Sequence, residues 1–177
     1  MNKIYGSKSD YAPVKRDGTQ IIVNYGYEEI NENDATWYEV SLPATKYPLL
    51  SLQDVKDAIL ADINARTDAK ILAGFVWTPT VSDGSAVGIP VWLSAENQFN
   101  FKSAYDLAVQ KNGNTLPVTF KMGEREDGTP VYHTFETMAD ADDFYLHAVA
   151  YINQTLAAGW QEKDAIDWTP YEEAFSV

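Results

Sequence analysis

Apolar residues recur along this chain at two spacings, and the change from one to the other marks out its elements. Residues 19–27 (TQIIVNYGY) and 36–42 (TWYEVSL) are rich in β-branched and aromatic side chains, with a polar turn at residues 31–34 between them. They predict two paired strands, a small N-terminal β-ribbon. Residues 1–5 are a further candidate strand, and turn residues at 6–10 and 16–18 bracket residues 11–14. Pro43 and Pro48 then interrupt regular structure, so residues 43–50 read as a linker. The expected organisation is an N-terminal ribbon or attachment segment at 1–45 and a larger domain at 50–177.

Behind Ser51, a good N-cap, Leu52, Val55, Ile59 and Ile63 recur every three or four residues, with Asp54, Lys56, Asp57 and Asp62 on the other face. This predicts an amphipathic helix that continues through Ile71 and Leu72 until Gly74 stops it. Residues 75–78 and 89–93 read as the two halves of a hairpin, joined by a loop over 81–88 with a turn at Asp83-Gly84. Ser94 caps a second helix that Gly113 closes, with Phe101, Tyr105, Leu107, Ala108 and, as a further candidate, Phe99 on its buried side. Residues 116–122 and 131–135 predict a second hairpin. Thr137 starts a third helix with Asp140 at the capping-box position; Met138, Ala141, Phe144 or Tyr145, Ala148, Ile152 and Leu156 run down one face to Gly159. A short helical turn is expected within 160–168, followed by a tail that docks through Tyr171 and Phe175. The fold class is therefore α+β: antiparallel β-hairpins packed with two or three amphipathic helices, plus the N-terminal β-ribbon.

Charge narrows the function classes. The 177 residues carry 26 acidic and 13 basic side chains, a formal charge of -13, which argues against nucleic-acid binding because phosphate contacts need clustered Lys and Arg. The same sign disfavours anionic membranes, and no apolar stretch reaches the roughly 20 residues that a bilayer requires. Without cysteine there is no disulfide, no thiolate nucleophile and no thiolate zinc site. The first residues contain no apolar signal segment, so synthesis in a cytoplasm is expected.

Candidate chemistry is sparse. His133 and His147 are the two histidines; His147 follows Asp143 by four residues, a spacing that orients an imidazole or makes an ordinary surface pair, and His133 has no partner readable from sequence. Asp140, Asp142 and Asp143, and separately Glu124, Glu126 and Asp127, are acidic clusters that suit a helix start and a hairpin loop. A polysaccharide-cleaving reading would need Glu124 or Asp127 facing Asp143 at roughly 5 to 10 Å. No serine occupies a nucleophile-elbow turn, and Gly74, Gly84 and Gly88 form no phosphate loop. The sequon at Asn153 lies inside a predicted helix and is discounted. No catalytic, cofactor-binding or metal-binding residue is expected, and the chain reads as a non-enzyme. The aromatics remain: most belong in a core, and a minority left exposed would anchor a protein partner or stack on sugar. Tyr25, Tyr27, Trp37, Tyr38, Trp160 and Trp168 are the candidate partner-binding residues.

The succession of SLQDVKDAILADI from Ser51, FVW from Phe75 and VWLSAENQFNF from Val91, together with Phe120 to Met122, Phe135-Glu136, the helix around Phe144 to Ile152 and GWQEKDAI from Gly159, resembles an uncharacterised domain family. That family is found in phages and prophages of gut bacteria such as Bacteroides, and the resemblance covers about residues 50 to 168. It implies a place among virion or virion-assembly proteins, near tail-fibre or head-fibre components, and carries over no catalytic residues. The expectation is a non-enzymatic virion structural or accessory protein, made in the host cytoplasm and oligomeric on repeating particle sites, whose partners are other fibre, head or tail proteins. The alternatives are a fibre-assembly chaperone absent from the finished particle, and a polysaccharide-binding or polysaccharide-degrading module.

Overall fold

The structure is a computed structural model that describes residues 3–45, 50–79 and 87–175. Its order is β1 (Ile4–Ser7), β2 (Val14–Asp17), β3 (Gln20–Glu29), β4 (Asp34–Pro43), α1 (Leu52–Ala73), β5 (Phe75–Trp77), β6 (Ile89–Val91), α2 (Ala95–Gln110), β7 (Val118–Glu124), β8 (Pro130–Phe135), α3 (Met138–Asp164) and α4 (Thr169–Phe175). The fold is α+β, with every strand pair antiparallel. The chain divides into two compact units, Met1–Arg66 with Ala158–Val177, and Thr67–Ala157, so both boundaries fall inside helices α1 and α3.

In the first unit, the expected ribbon is the central pair of a four-stranded sheet ordered β1-β4-β3-β2. The turn expected at 16–18 is shorter than its residues suggest: Val14–Asp17 is a strand that pairs with β3 through the tight connection at Gly18-Thr19. Alternation along β3 and β4 puts Val23, Tyr25 and Val40 on one face, where they pack with Val55, Ile59 and Ile63 of α1 and Tyr171 of α4. The i, i+4 spacing of the α1 residues supplies the matching stripe. Helix α1 opens with a reciprocal cap: the Ser51 amide donates to Asp54 at 2.9 Å and the Asp54 amide donates to the Ser51 hydroxyl at 3.3 Å. The compact unit that contains the sheet runs past 45–50 into α1 and takes in the C-terminal residues. The sheet has no core of its own, because its apolar face is covered by the start of α1 and by the C-terminal residues.

The second unit is built from two hairpins and the facing parts of three helices. Its core is aromatic: Phe144 meets Trp77 and Phe101 edge to face and Phe135 at a tilt, Trp77 stacks on Phe135, and Val91, Leu93 and Met122 belong to the same cluster. Gly74 has φ +79, and a Cβ there would lie 1.7 Å from the Val91 carbonyl oxygen, so only glycine lets α1 end against the incoming strand β6. Ser94 accepts from the Asn97 amide and caps α2 as its sequence predicts. On α2, Phe101 and Ala108 are buried, whereas Phe99 is 69% and Leu107 46% exposed. Their angular position, rather than their apolar character, decides it. Helix α3 does not stop at Gly159: that residue is buried within the helix, which runs to Asp164. The short turn expected in 160–168 is thus the end of α3, and the C-terminal tail is helix α4, docked by buried Tyr171. The loop turn expected at Asp83-Gly84 lies outside the described residues.

Candidate functional site

A concavity of the first unit forms around an irregularity in β3. Tyr25 pairs with Tyr38, but the next pairing is Glu28 with Thr36, so Gly26 and Tyr27 bulge out of register. Gly26 takes φ +63, and a Cβ on it would come within 3.1 Å of the Tyr38 ring. Glycine thus permits both the bulge and the close ring, and the bulge turns Tyr27 outward.

Beside it lies a groove of about 700 Å³ walled by five tyrosines, Tyr11, Tyr25, Tyr27, Tyr38 and Tyr171, with Lys3, Glu28, Glu162 and Asp167 at its polar margin. The rings support one another: Tyr11 lies 4.6 Å from Tyr27, and Tyr25 stacks on Tyr38 at 5.5 Å between centroids. Arg66 fixes this wall, with its guanidinium 3.7 Å above the Tyr38 ring while it bonds to Asp62 at 3.0 Å, to Glu162 at 2.5 Å and to the Tyr25 hydroxyl at 3.0 Å. Tyr25 in turn donates to Asp62. At the other end, Lys3 pairs with Glu28 at 2.5 Å, and the Tyr171 hydroxyl donates to the Asn24 carbonyl at 2.7 Å.

These contacts set the ionisation of the groove. Burial, and then the hydrogen bond to Asp62, raises Tyr25 well above the ordinary tyrosine range. Burial, reinforced by Tyr11, does the same to Tyr171, and burial raises Tyr11. Burial opposes the charge on Arg66, but its bonds to Glu162, Tyr25 and Asp62 outweigh that and hold it above the usual guanidinium value. At neutral pH the walls therefore present uncharged hydroxyls and ring surface, with Glu28 and Glu162 already partnered by Lys3 and Arg66.

Of the six residues singled out from sequence, Tyr25, Tyr27 and Tyr38 line the groove. Trp37 does not: it is 3% exposed, with Tyr11 against its ring and Gly6 where a side chain would collide with it. Tyr25 is itself only 1% exposed and forms a wall rather than a free anchor. Trp168 is half-buried against the core beneath Lys56, and Trp160 is 58% exposed on α3 without lining the groove. Sequence reasoning missed Tyr11, Lys3, Glu28, Glu162 and Asp167; of these only Glu162 sits in a quoted motif, GWQEKDAI, which carries no chemical signature. Tyr171 was legible only as an anchor for the tail.

In the second unit the acidic clusters serve separate partners. Asp140 meets the His133 ring at 2.9 Å, Asp142 accepts from the Tyr105 hydroxyl at 2.8 Å, and Asp143 accepts from the Trp77 indole at 3.0 Å. The His147 ring bonds to the Asp143 carbonyl at 2.7 Å. At the end of β7 Glu124 pairs with Lys121, and in the hairpin loop Asp127 accepts from the Thr129 amide, which lowers its pKa. Among the described residues no group of three or more such side chains is arranged to hold a metal ion, and no helix is long and apolar enough to cross a membrane.

A family model described as a domain of unknown function, DUF4376, matches residues 54–177. The chain belongs to that family. No curated protein and no solved structure matches it. The DUF4376 stretch begins in the first turns of α1 and contains all of the second unit, and it also supplies the C-terminal part of the first. The tyrosine groove is therefore composite: Glu162, Asp167 and Tyr171 come from the DUF4376 stretch, and Lys3, Tyr11, Tyr25, Tyr27 and Tyr38 from the residues before it.

Proposed function

We propose that this DUF4376 protein is a non-enzymatic component of a bacteriophage particle, which contacts a neighbouring fibre, head or tail protein through the tyrosine-lined groove. The observation that supports the contact is the groove itself: five tyrosine rings, held by Arg66 and by one another, leave about 700 Å³ open beside the outward-turned Tyr27. Tyrosine suits such a surface because each ring offers large area and a hydroxyl at little cost in rotamer freedom. The phage assignment is supported by the residue resemblance described above.

The test is quantitative mass spectrometry of purified particles of the phage that encodes the chain, beside the unfractionated lysate. A fixed copy number in the particle is expected for the wild type, with loss from the particle, at equal lysate abundance, for Tyr27→Ser. Tyr27 lies in the bulge, outside the paired register of β3 and β4, so its replacement removes ring surface without removing a ladder pair. Abundance in the lysate with absence from the wild-type particle would overturn the structural reading and leave an assembly role.

A further inference from the structure

We propose that a second copy of this chain docks on the outward face of α3 within residues 144–157, independently of the groove. One side of this helix is buried through Ala141, Phe144, Ala148 and Thr155. Opposite, Leu146 is 67% exposed, with Ala150 and Asn153 exposed beside it, and Val149, on the flank toward α2, is 37% exposed. Leu146, Val149, Asn153 and Leu156 follow one another at three- and four-residue steps, the spacing of a helix-pairing seam. A large aliphatic side chain standing two-thirds in water on a rigid helix has no role in its own core.

Two features point to the same chain as occupant. The first is charge. Between Asp143 and Glu162 the sequence contains no Asp, Glu, Lys or Arg, the longest such run in a chain of net charge -13. A basic partner would be drawn to the acidic faces elsewhere. An uncharged face is what a partner of the same strongly acidic sign can approach without repulsion, and the commonest such partner is another copy on a twofold axis. The second is Asn153, exposed in the middle of the seam. Burial against an apolar partner would leave its amide unsatisfied, but an amide both donates and accepts, so the same residue of a second copy satisfies it. A single Asn in an apolar helix seam selects such self-pairing. Beside Val149, a shallow groove of about 160 Å³ bordered by Gln98, Lys102, Tyr145 and Ile152 leaves room for a side chain of the incoming helix.

Sedimentation of the full-length protein from about 1 to 100 μM tests this, since specific homodimers dissociate across that range or below it. A concentration-dependent dimer is expected. Leu146→Glu and, as a variant that disturbs no packing, Ala150→Glu should each weaken it at least about 100-fold, because each sets like charges in the seam. Phe99→Glu, which is equally exposed on α2, should leave the dimer unchanged. A wild type that is monomeric throughout, or a dimer that survives both α3 variants, or one that Phe99→Glu weakens equally, would overturn the proposal.

Discussion

The two units fill their interiors with different chemistry. The second is dry and contiguous in sequence: aromatic rings from two hairpins and two helices meet around Phe144, and hydrogen bonds such as Trp77 to Asp143 sit at its edge. The first is assembled from the two ends of the chain, and polar groups run into it. Tyr25, Asp62, Arg66 and Glu162 form one connected network, and Asn24, fully buried, donates to the Ala12 carbonyl while its backbone carbonyl accepts from Tyr171. Asn24 Oδ1 and Trp37 Nε1 are buried without a protein partner. A core of the second kind specifies itself through area and shape. A core of the first kind depends on every segment being present, because each segment carries a partner that another would leave stranded.

The harshest way to break the comparison is to remove the sheet. In a fragment of residues 50–177, Val55, Ile59, Ile63 and Tyr171 lose their cover, and the half of the unit that belongs to the DUF4376 stretch has nothing to pack on. Hydrogen exchange should show amides of α4 and of α1 before Arg66 exchanging at nearly unprotected rates, while those around Ala141 to Thr155 of α3 stay protected. Retained protection in α4 would mean that the DUF4376 stretch closes its own core. Next in size is the charge network. Arg66→Met leaves Asp62, only 9% exposed, without its cation, and should destabilise the protein by about 2–4 kcal/mol in urea unfolding, the lower part of the range reflecting the partial exposure of Glu162. The triple replacement Arg66→Met, Asp62→Leu, Glu162→Leu should recover most of that loss, since no charge is then stranded. The counterpart in the second unit is the single pair of His133 and Asp140 at 2.9 Å, which is not joined to a wider charge network in the contacts described.

The same contrast governs what could be read from sequence. In the second unit, hairpins, caps and helix stops are local, and Ser94, Gly74 and the alternation in 131–135 announce them. Phe99 misled because its apolar character suits a core while its angle on α2 faces water. Just beyond the second unit, Gly159 misled because a glycine can be buried within a helix as well as end one. In the first unit the central strands were legible from TQIIVNYGY and TWYEVSL. Their assembly with α1 and Tyr171 was not, because it joins Tyr25 to Asp62 across 37 positions and Asn24 to Tyr171 across 147, with no local signature. The groove shares that property: its tyrosines come from four separate elements or connections, and the bulge that turns Tyr27 outward shows only as one glycine within a strand pattern.

Alkali sharpens the contrast at smaller cost to the fold. Tyr25 and Tyr171 have folded-state pKa values raised above the ordinary 10.0, chiefly by burial, whereas Tyr105 in the second unit is raised chiefly by its bond to Asp142. For an acid whose folded pKa is raised, the unfolded state releases its proton first, so the folded state holds more protons and stability falls as pH increases. The contribution is intact below about pH 10 and is lost progressively above it. Absorbance at 295 nm should resolve an early population of tyrosinates and a late one that appears only with unfolding. Tyr25→Phe should shrink the late population and reduce the alkaline loss of stability. A single titration near the ordinary value would contradict the buried tyrosine wall.

The smallest effects separate position from composition within the second unit. Ser94→Ala removes one polar atom from an exposed cap, and Phe99→Ser removes an entire aromatic ring. Hydrophobicity alone ranks the second as the graver change. Geometry reverses the order: the Ser94 hydroxyl accepts from the Asn97 amide, which otherwise has no helical partner, and its loss should cost about 1 kcal/mol. Phe99 is 69% exposed, and its replacement should fall within about 0.5 kcal/mol of neutral. Thermal unfolding of the two variants side by side is enough to decide it. A larger loss at Phe99 would show that this face of α2 turns inward and that the second core extends to the Phe99 ring.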